Sequence, residues 1–338
     1  MSSTADAYPV RTSRPQRVLP GQLVFTDRVS LEHRFLLRPD RVMREIFFAL
    51  LAHYAKRHGI RVHAVVLMST HYHLLFTDVG GCRGDFFRDF HSMLTKAVQV
   101  YRGAKSYVFD KEPTSQVVCV TEKGGVEAMA YLLGNPTAAG ICVDPTTWPG
   151  LVSRVEDAGR RRTERFALPK KIRREDGTLV RFLDDVSWPD TVELVLEPLA
   201  DAVGMDASAC VEEIRDRLDA LVANKVAEQK QRGGRFVGVW KAMRQSVFKR
   251  AASWLLPAPF RDKIRPRVKA GAGEGKARAA ALVENEAFYE KHAECVARVR
   301  RGDKDVVFPA GTFRWCRVFG FPCETAAAGF HEMRSAFG

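Results

Sequence analysis

Apolar residues in the first 140 positions recur at two spacings, one typical of strands and one typical of helices. Continuous or alternating apolar runs predict four strands, at residues 22–29, 61–68, 71–78 and 114–122. Helical spacing predicts a helix at about 41–58 with Asp40 as its N-cap, a second at about 85–102 and a short third at 126–135. We expect Pro136 to force the residue before it out of the helical region. The order strand, helix, strand, strand, helix, strand, helix predicts an α+β fold, a ferredoxin-like antiparallel sheet with one extra helix.

The pattern changes beyond residue 149. Residues 154–182 are charged and interrupted, which predicts either an exposed connection or a strand pair. Helical spacing returns at 208 to about 230 and again at about 277–300. Residues 305–320 are typical of a hairpin or loop with a buried aromatic face. The α+β unit is therefore expected to be followed by a mainly helical, basic extension.

The N-terminal residues are rich in Ser, Thr, Pro and Arg without periodicity, which predicts a flexible arm over 1–18. The N-terminus lacks the apolar stretch of a signal peptide, and the chain has no run of about 18 uncharged apolar residues. We therefore expect a cytoplasmic protein with no membrane partner. Its seven scattered cysteines, none in a C-x-x-C pair, are expected to be reduced thiols.

Charge is distributed unevenly along a chain whose formal net charge is +13. Residues 225–278 hold fifteen Lys or Arg against three acids, whereas residues 182–224 hold eleven acids against two arginines. A basic block fits contact with a polyanion, nucleic acid being the leading partner, although a solvated surface explains it equally well. Six basic residues interleaved with Phe236, Trp240 and Phe248 are the candidate DNA-binding residues: Arg232, Arg235, Lys241, Arg244, Lys249 and Arg250. The aromatic residues are suited either to stacking on bases or to forming a small core.

Two histidines, His71 and His73, interrupt the apolar run at 65–78. Alternate side chains of a strand share a face, so these imidazoles, about 7 Å apart along the strand, can converge on one divalent cation. Two ordinary histidines at a sheet surface are the other interpretation.

A second pair, Tyr131 and Asn135, stands four residues apart and so shares a helix face. Asn135 offers a neutral oxygen ligand, and a tyrosine can act as a nucleophile that forms a covalent intermediate. A cation held by His71, His73 and Asn135 could polarise a phosphodiester for attack by Tyr131. The alternatives are a helix-terminal role for Asn135 and a core aromatic role for Tyr131.

Two stretches together resemble a known family, the HUH endonucleases, named for a histidine, a hydrophobic residue and a histidine. Residues 62–78, "VHAVVLMSTHYHLLFTD", are similar to the family's hydrophobic strand, turn and histidine pair. Residues 131–141, "YLLGNPTAAGI", are similar to the end of its tyrosine helix, and Tyr131 follows His73 by 58 residues. "TTWPGLVS" at 146–153 is similar to an element just after the family's catalytic domain. Within the family, the chain looks like the single-tyrosine transposases of the REP-associated and insertion-sequence type.

This resemblance implies that His71 and His73 bind a catalytic Mg2+ or Mn2+, with Asn135 as the third ligand. It implies that Tyr131 attacks a phosphodiester in single-stranded DNA bearing a hairpin or palindrome, leaving a 5′-phosphotyrosine link and a free 3′-hydroxyl. The implied enzyme is a DNA transposase, a single-strand endonuclease and strand transferase, acting as a monomer or homodimer. After the flexible arm at 1–18, the resemblance implies a catalytic domain at 19–152 and a basic C-terminal DNA-recognition extension at 153–338.

Two positions depart from the family pattern. Thr70 stands where the family commonly has Asn before the first histidine. "PTAAG" at 136–140 stands where many members read Pro-Val-Arg-Ala-Gly, so a basic side chain is missing. The departures affect the expected DNA affinity and sequence preference, and they leave the candidate ligands and nucleophile intact.

Two further residues and two other functions fit the same motifs. His63 could share a strand face near the site, although a packed or surface role is expected. Glu127, one turn before Tyr131, could orient a metal-bound water or the phenol, although a solvated charge is the simpler interpretation. The other functions are a non-catalytic, domesticated DNA-hairpin-binding protein and a replication-initiator or relaxase-type nickase.

Overall fold

The structure, a computed structural model, describes six ranges of the chain: residues 15–109, 114–167, 170–174, 176–181, 189–252 and 267–325. Within these ranges the protein is α+β, with a mixed seven-stranded sheet and a separate two-stranded sheet. The strands are β1 Gln22–Val29, β2 Ile60–Leu67, β3 His71–Asp78, β4 Ser115–Cys119, β5 Arg162–Ala167, β6 Lys171–Arg173, β7 Leu179–Arg181, β8 Thr191–Leu196 and β9 Val268–Lys269. The helices are α1 Arg41–Arg57, α2 Arg83–Arg102, α3 Glu122–Leu133, α4 Asn135–Ala138, α5 Leu199–Val203, α6 Ala207–Gln231, α7 Val239–Met243, α8 Gly275–Arg300 and α9 Arg314–Arg317.

The large sheet has the strand order β5, β8, β2, β3, β1, β4, β9. Strand β3 pairs antiparallel with β1 and with β2, and β1 also pairs antiparallel with β4. Strand β8 joins β2 in parallel, and β9 joins β4 in parallel. Strands from beyond residue 152 therefore extend both edges of the four strands that the sequence predicted. The stretch at 154–182 supplies β5 to this sheet and also contains the β6–β7 pair.

Two hydrophobic cores lie on opposite faces of the large sheet. Leu74 and Phe76 of β3 belong to the core that α1 and α2 cover, whereas Leu75 between them belongs to the core that α3 and α6 cover. Because both faces are covered, β2 and β3 read as nearly continuous apolar runs rather than alternating ones. His73, two residues before Leu75, lies on the face that α3 covers.

The first helix begins as predicted, because the Asp40 carboxylate accepts a hydrogen bond from the Met43 N–H at 3.0 Å. Helix α3 begins four residues earlier than predicted, at Glu122, where the Thr121 hydroxyl accepts from the Gly124 N–H. Two successive glycines weaken the helical signal of this first turn. They are packed closely, since a Cβ on Gly125 would lie 2.8 Å from side-chain atoms of Leu23 and Val203.

The end of α3 differs from the prediction. The helix stops at Leu133, Gly134 separates the two pieces, and a new helical turn begins at Asn135. The expectation that Pro136 forces Asn135 out of the helical region is wrong. Pro136 stands in the first turn of α4, where a missing N–H costs nothing.

The later half of the chain contains both long helices that the sequence predicted, as α6 and α8. Residues 305–320 form a loop with the short α9, and the aromatic face of this tail is buried through Phe308 and Trp315. All seven cysteines are free thiols. In the part of the chain that the structure describes, no helix is long and apolar enough to cross a membrane.

The arm predicted at 1–18 lies outside the described residues as far as residue 14. Its last residues contact the C-terminal part of the chain. The Val18 N–H donates to the Gly311 carbonyl at 2.9 Å, and the Arg17 guanidinium pairs with the Glu284 carboxylate at 2.8 Å.

Candidate active site

The structure brings three of the predicted site residues together where β3 begins. His71 and His73 are the first and third residues of β3, and their ring centroids lie 4.8 Å apart. The Asn135 side chain reaches this pair from the first position of α4, with its Nδ2 2.9 Å from His73 Nε2. The two imidazoles and the amide therefore face one small volume between the sheet and the α3–α4 junction.

Aromatic packing fixes the ring of His73. Its side chain is buried, and the Phe25 ring from β1 stacks on it at a centroid distance of 5.3 Å. The Tyr131 ring meets the same imidazole edge-on, with centroids 5.7 Å apart. Because rings hold His73 on two sides, its Nε2 remains directed toward Asn135.

A hydroxyl contact orients the first histidine. The Thr70 Oγ1 lies 2.9 Å from His71 Nδ1. When Nδ1 carries the proton and donates to this oxygen, Nε2 is left with its lone pair, which is the form that binds a cation. Thr70 thus supplies an outer contact for a proposed ligand.

The buried oxygen of Asn135 supports the fit of a cation to this site. Asn135 is 4% exposed, and its Oδ1 has no hydrogen-bond partner among the described residues. A buried polar oxygen without a partner costs about 1–3 kcal/mol. The atom of Asn135 that faces His73 Nε2 is the donor Nδ2, so a cation shared by Nε2 and Oδ1 would require the amide to turn over and would replace this hydrogen bond. Two imidazoles and an amide oxygen form a mixed donor set, which suits Mn2+ better than the oxygen-preferring Mg2+. No cluster of three or more His, Cys, Asp or Glu in the described ranges could hold a metal ion, so the amide would be needed as the third protein ligand.

Tyr131 is not a core residue. Its side chain is 43% exposed, although one edge of the ring contacts Phe25 and His73. The exposed side of the phenol lines a cleft of about 530 Å3 between α3 and α6. The phenol is therefore held beside the histidines and remains open to a substrate.

Two weaker candidates have structural roles. His63 is buried between the Glu197 carbonyl, 3.0 Å from Nδ1, and the Thr77 hydroxyl, 2.8 Å from Nε2. Burial lowers the pKa of His63 to about 4, so this imidazole is neutral and packed, as expected.

Glu127 forms ion pairs and is not simply a solvated charge. Its carboxylate lies 3.1 Å from the Arg217 guanidinium and 3.5 Å from Lys269 Nζ, and it accepts from the Ala272 N–H at 2.8 Å. Burial acts to raise the pKa of Glu127, but the Ala272 N–H and the two cations outweigh it and lower the pKa below its usual value. Glu127 thus joins α3 to α6 and to the loop after β9.

Residues that the sequence did not single out also lie at the site. Asp27 of β1 is the direct cross-strand partner of His73, so the two side chains emerge on the same face. A prediction of the pairing between β1 and β3 would have placed Asp27 beside His73. From α6, Arg217, Asn224 and Lys225 line the cleft beside Tyr131. Only long-range packing brings them there, and the amphipathic pattern of α6 gave no sign of it.

The six predicted DNA-binding residues are all exposed. They lie on a segment, residues 232–250, that is anchored at both ends. Near one end, the Val237 N–H donates to the Gly140 carbonyl at 2.9 Å, just after α4. Near the other, the Phe35 N–H donates to the Lys249 carbonyl at 3.1 Å, in a loop that also contacts the turn before His71. The segment therefore runs along one side of the site, from the α4 end to the β2–β3 turn.

The basic side chains of this segment differ in whether they form ion pairs or hydrogen bonds. Arg232 pairs with Glu228 at 2.7 Å, and Arg250 pairs with Glu32 at 2.8 Å. Lys249 Nζ donates to the Gln245 side chain at 3.0 Å. Arg235 and Lys241 are exposed and form no ion pair within the described ranges.

Two aromatic residues of the segment are open to solvent. Trp240 is 68% exposed and Phe248 is 47% exposed, so they do not form the small core that was the alternative interpretation. The Arg244 guanidinium lies 3.9 Å from the centroid of the Trp240 ring. This pairing offers a flat cationic and aromatic surface.

Comparison with known proteins identifies no relative. No protein-family model, no curated protein and no solved structure matches the chain. The function must therefore be inferred from the residues and their geometry.

Proposed function

We propose that this protein is a cytoplasmic, metal-dependent DNA transposase of the HUH single-tyrosine type. It would cleave and rejoin single-stranded DNA bearing a hairpin or palindrome, with a 5′-phosphotyrosine intermediate on Tyr131. One observation carries the proposal: an exposed phenol packs against His73, whose Nε2 is 2.9 Å from the Asn135 amide. A nucleophile and a possible cation site are thereby adjacent.

The central strands support a ferredoxin-like unit within the larger sheet. Their order is β2, β3, β1, β4, and every neighbouring pair among them is antiparallel. Helices α1 and α2, which connect β1 to β2 and β3 to β4, both pack on one face. The histidines and α3 use the other face, so the extra helix covers the site.

The proposed reaction exchanges one phosphodiester for another. The Tyr131 Oη attacks phosphorus, the Oη–P bond forms and the P–O3′ bond breaks, while the phenol loses a proton and the departing 3′ oxygen gains one. A divalent cation held by His71, His73 and Asn135 would supply polarisation of the phosphodiester. Phe25 and His73 hold the phenol ring in place, which lowers the entropic cost of alignment. Attack by a 3′-hydroxyl on the tyrosine-linked phosphate reverses the step and rejoins strands.

The basic segment at 232–250 supports DNA as the substrate. Exposed Arg and Lys supply phosphate contacts, and exposed Trp240 and Phe248 supply faces on which unpaired bases can stack. Because this segment borders the site, DNA bound along it would pass near Tyr131.

The decisive experiment is covalent capture. The protein is incubated with labelled single-stranded hairpin DNA and Mn2+, and the products are separated on a denaturing gel. We expect a protein–DNA adduct that is lost in Tyr131→Phe and retained in Tyr107→Phe, a control at another exposed tyrosine. Hairpin binding without an adduct under any metal would identify a binding protein instead of an enzyme.

A second variant separates catalysis from binding. His73→Ala is expected to abolish the adduct and leave hairpin affinity largely intact, because phosphate contacts elsewhere should supply most of that affinity. Filter binding with the same oligonucleotide measures the hairpin affinity. Equal loss of adduct and affinity would show that the histidine pair is structural.

A further inference from the structure

A cleft beside the proposed nucleophile has no role in the reaction described above. It has a volume of about 530 Å3 and lies between α3, α4 and α6, with the Tyr131 phenol on one wall. This volume falls within the range of about 300–1,000 Å3 that is typical of small-molecule sites. The opposite wall consists of consecutive turns of α6, through Ala220, Leu221, Asn224 and Lys225.

The two walls are held at a fixed separation. The Glu127 carboxylate of α3 pairs with Arg217 of α6 at 3.1 Å. Just after α3 ends, a Cβ on Gly134 would lie 2.7 Å from Leu221 Cδ2 and 3.1 Å from Leu218 Cδ1. The helices therefore approach as closely as a glycine allows, and an ion pair fixes their contact.

The chemistry of the lining favours a neutral, flat ligand. The two acids of the lining, Glu127 and Glu228, are each paired with a lining cation, Arg217 and Lys225 respectively. The charges of the lining residues thus balance, two acids against two cations, so the lining itself has no net positive charge for a phosphate. Its remaining surface is apolar, from Ala130, Ala138, Ala220 and Leu221, apart from the Asn224 amide and the Tyr131 phenol.

We infer that this cleft binds one unpaired nucleobase of the DNA strand, next to the phosphate that Tyr131 attacks. The inference deepens the proposed function and rests on it. The apolar walls and the phenol ring contact the faces of the base. The Asn224 amide, a donor and an acceptor, forms hydrogen bonds with its edge. The phosphates lie outside, toward the basic segment at 232–250. The cleft therefore determines which base flanks the cut.

A matched pair of substitutions on α6 tests this role. Ala220 and Ala223 are both exposed residues of the same helix, but only Ala220 lines the cleft. Ala220→Trp fills the cleft, and Ala223→Trp adds the same side chain elsewhere on the helix. Both are made in the Tyr131→Phe background, which keeps the aromatic ring and prevents cleavage, and binding is measured in EDTA.

The probes are two hairpins with short single-stranded flanks, one carrying normal bases and the other abasic residues with the same phosphates. We expect the parent protein and Ala223→Trp to bind the normal flank about tenfold more tightly than the abasic one. Ala220→Trp should lose most of this preference and keep only the part that stacking on Trp240 and Phe248 contributes. Equal affinity for the two probes in the parent, or loss of the preference in both tryptophan variants, overturns the inference.

A smaller substitution provides a second measurement, should the tryptophan variant fail to fold. Asn224→Ala leaves the cleft open and is expected to reduce discrimination among the four bases in the flank. Unchanged discrimination overturns the inference. Since neither measurement requires cleavage, a base preference without any covalent adduct would refute the proposed enzyme alone, and an adduct without base preference would refute the cleft alone.

Discussion

Thr70 shows how one side chain outside the ligand set affects the candidate metal site. Its hydroxyl is 2.9 Å from His71 Nδ1, and its backbone carbonyl accepts from the Ser30 N–H at 2.7 Å. The backbone contact fixes the turn, and the hydroxyl contact fixes the imidazole. The asparagine side chain that HUH endonucleases commonly carry at this position could make a similar hydrogen bond, so Thr70 is compatible with the proposed cation site.

Removing this hydroxyl should weaken cation binding at the candidate metal site. Thr70→Val keeps the shape of the side chain and is expected to raise the Kd for Mn2+ by about tenfold, as loss of an outer hydrogen bond does at other metal sites. Isothermal titration calorimetry measures this change. Thr70→Ser is the control and should bind Mn2+ like the parent, and an unchanged Kd in Thr70→Val would contradict the assigned contact.

His63 gives the fold a pH dependence of known sign. Burial lowers its pKa to about 4 in the folded chain, against an ordinary value of 6.5. The unfolded chain therefore binds a proton that the folded chain excludes, and stability is lost as pH falls from about 6.5 toward 4. Between those limits the loss is about 1.4 kcal/mol per pH unit.

The contribution of His63 to the pH dependence of stability is measured as the difference between the parent and a variant, since other groups also titrate. Urea unfolding at several pH values from about 6 to 5 gives the free energy of unfolding for the parent and for His63→Gln. The variant should have a shallower dependence on pH by about 1.4 kcal/mol per unit. Equal slopes for the two proteins would show that His63 accepts a proton in the folded state.

At the scale of elements, the chain at residues 148–150 packs against Leu67, the last residue of β2. The Leu67 N–H donates to the Gly150 carbonyl at 2.8 Å, and the buried Trp148 indole donates to the Leu67 carbonyl at 2.8 Å. A Cβ on Gly150 would lie 1.8 Å from that carbonyl oxygen. The stretch "TTWPGLVS" therefore has a structural explanation, because only a glycine permits this approach.

Gly150→Ala is expected to destabilise the fold by about 3 kcal/mol, since backbone must move to admit the methyl group. Gly275→Ala is the control. Its position begins α8 and has open space around it, so the alanine should be neutral or slightly stabilising. Chemical denaturation measures the free energy of unfolding of the parent and of both variants. A similar small change in the free energy of unfolding of both variants would mean that residues 148–150 are not tightly packed against β2.

Local pattern was enough to predict the central elements. The alternation of side chains placed His71 and His73 on one face, and Asp40 marked the start of α1. The break at Gly134 was missed, because Gly and Pro there were read as an end when the chain resumes a helical turn at Asn135. Consequently Tyr131 and Asn135 lie on two helical pieces, although their spacing had suggested one.

What the sequence could not predict depends on distant contacts. Strands β5 and β8 pair with each other and extend the sheet beside β2, and the two-residue β9 pairs with β4 from more than a hundred residues away. Such pairing leaves no local signal. The same is true of α6, whose amphipathic pattern predicts a helix but not that it faces Tyr131.

Across the whole molecule, positive charge on the basic segment at 232–250 is predicted to govern DNA binding. Replacing Arg235, Lys241 and Lys249 with alanine should make the salt dependence of hairpin binding, log Kd against log salt, shallower. The expected change in slope is about 0.7 for each phosphate of the single strand that the variant no longer neutralises. The control changes net charge equally, through exposed residues of α8: Lys276, Arg278 and Lys291. Equal changes of slope in the two triple variants would assign the effect to overall charge instead of this segment.

The anchoring of that segment has a consequence for where DNA would be cut in the proposed reaction. Backbone hydrogen bonds tie it to Gly140 behind α4 and to Phe35 beside the β2–β3 turn, so it cannot swing away from Tyr131 as a tethered domain would. In the proposed reaction, the bound strand and the phosphate that Tyr131 attacks would be a constant distance apart. The enzyme would then cut at a set number of nucleotides from the hairpin, and the base preference of the cleft would act only at that position.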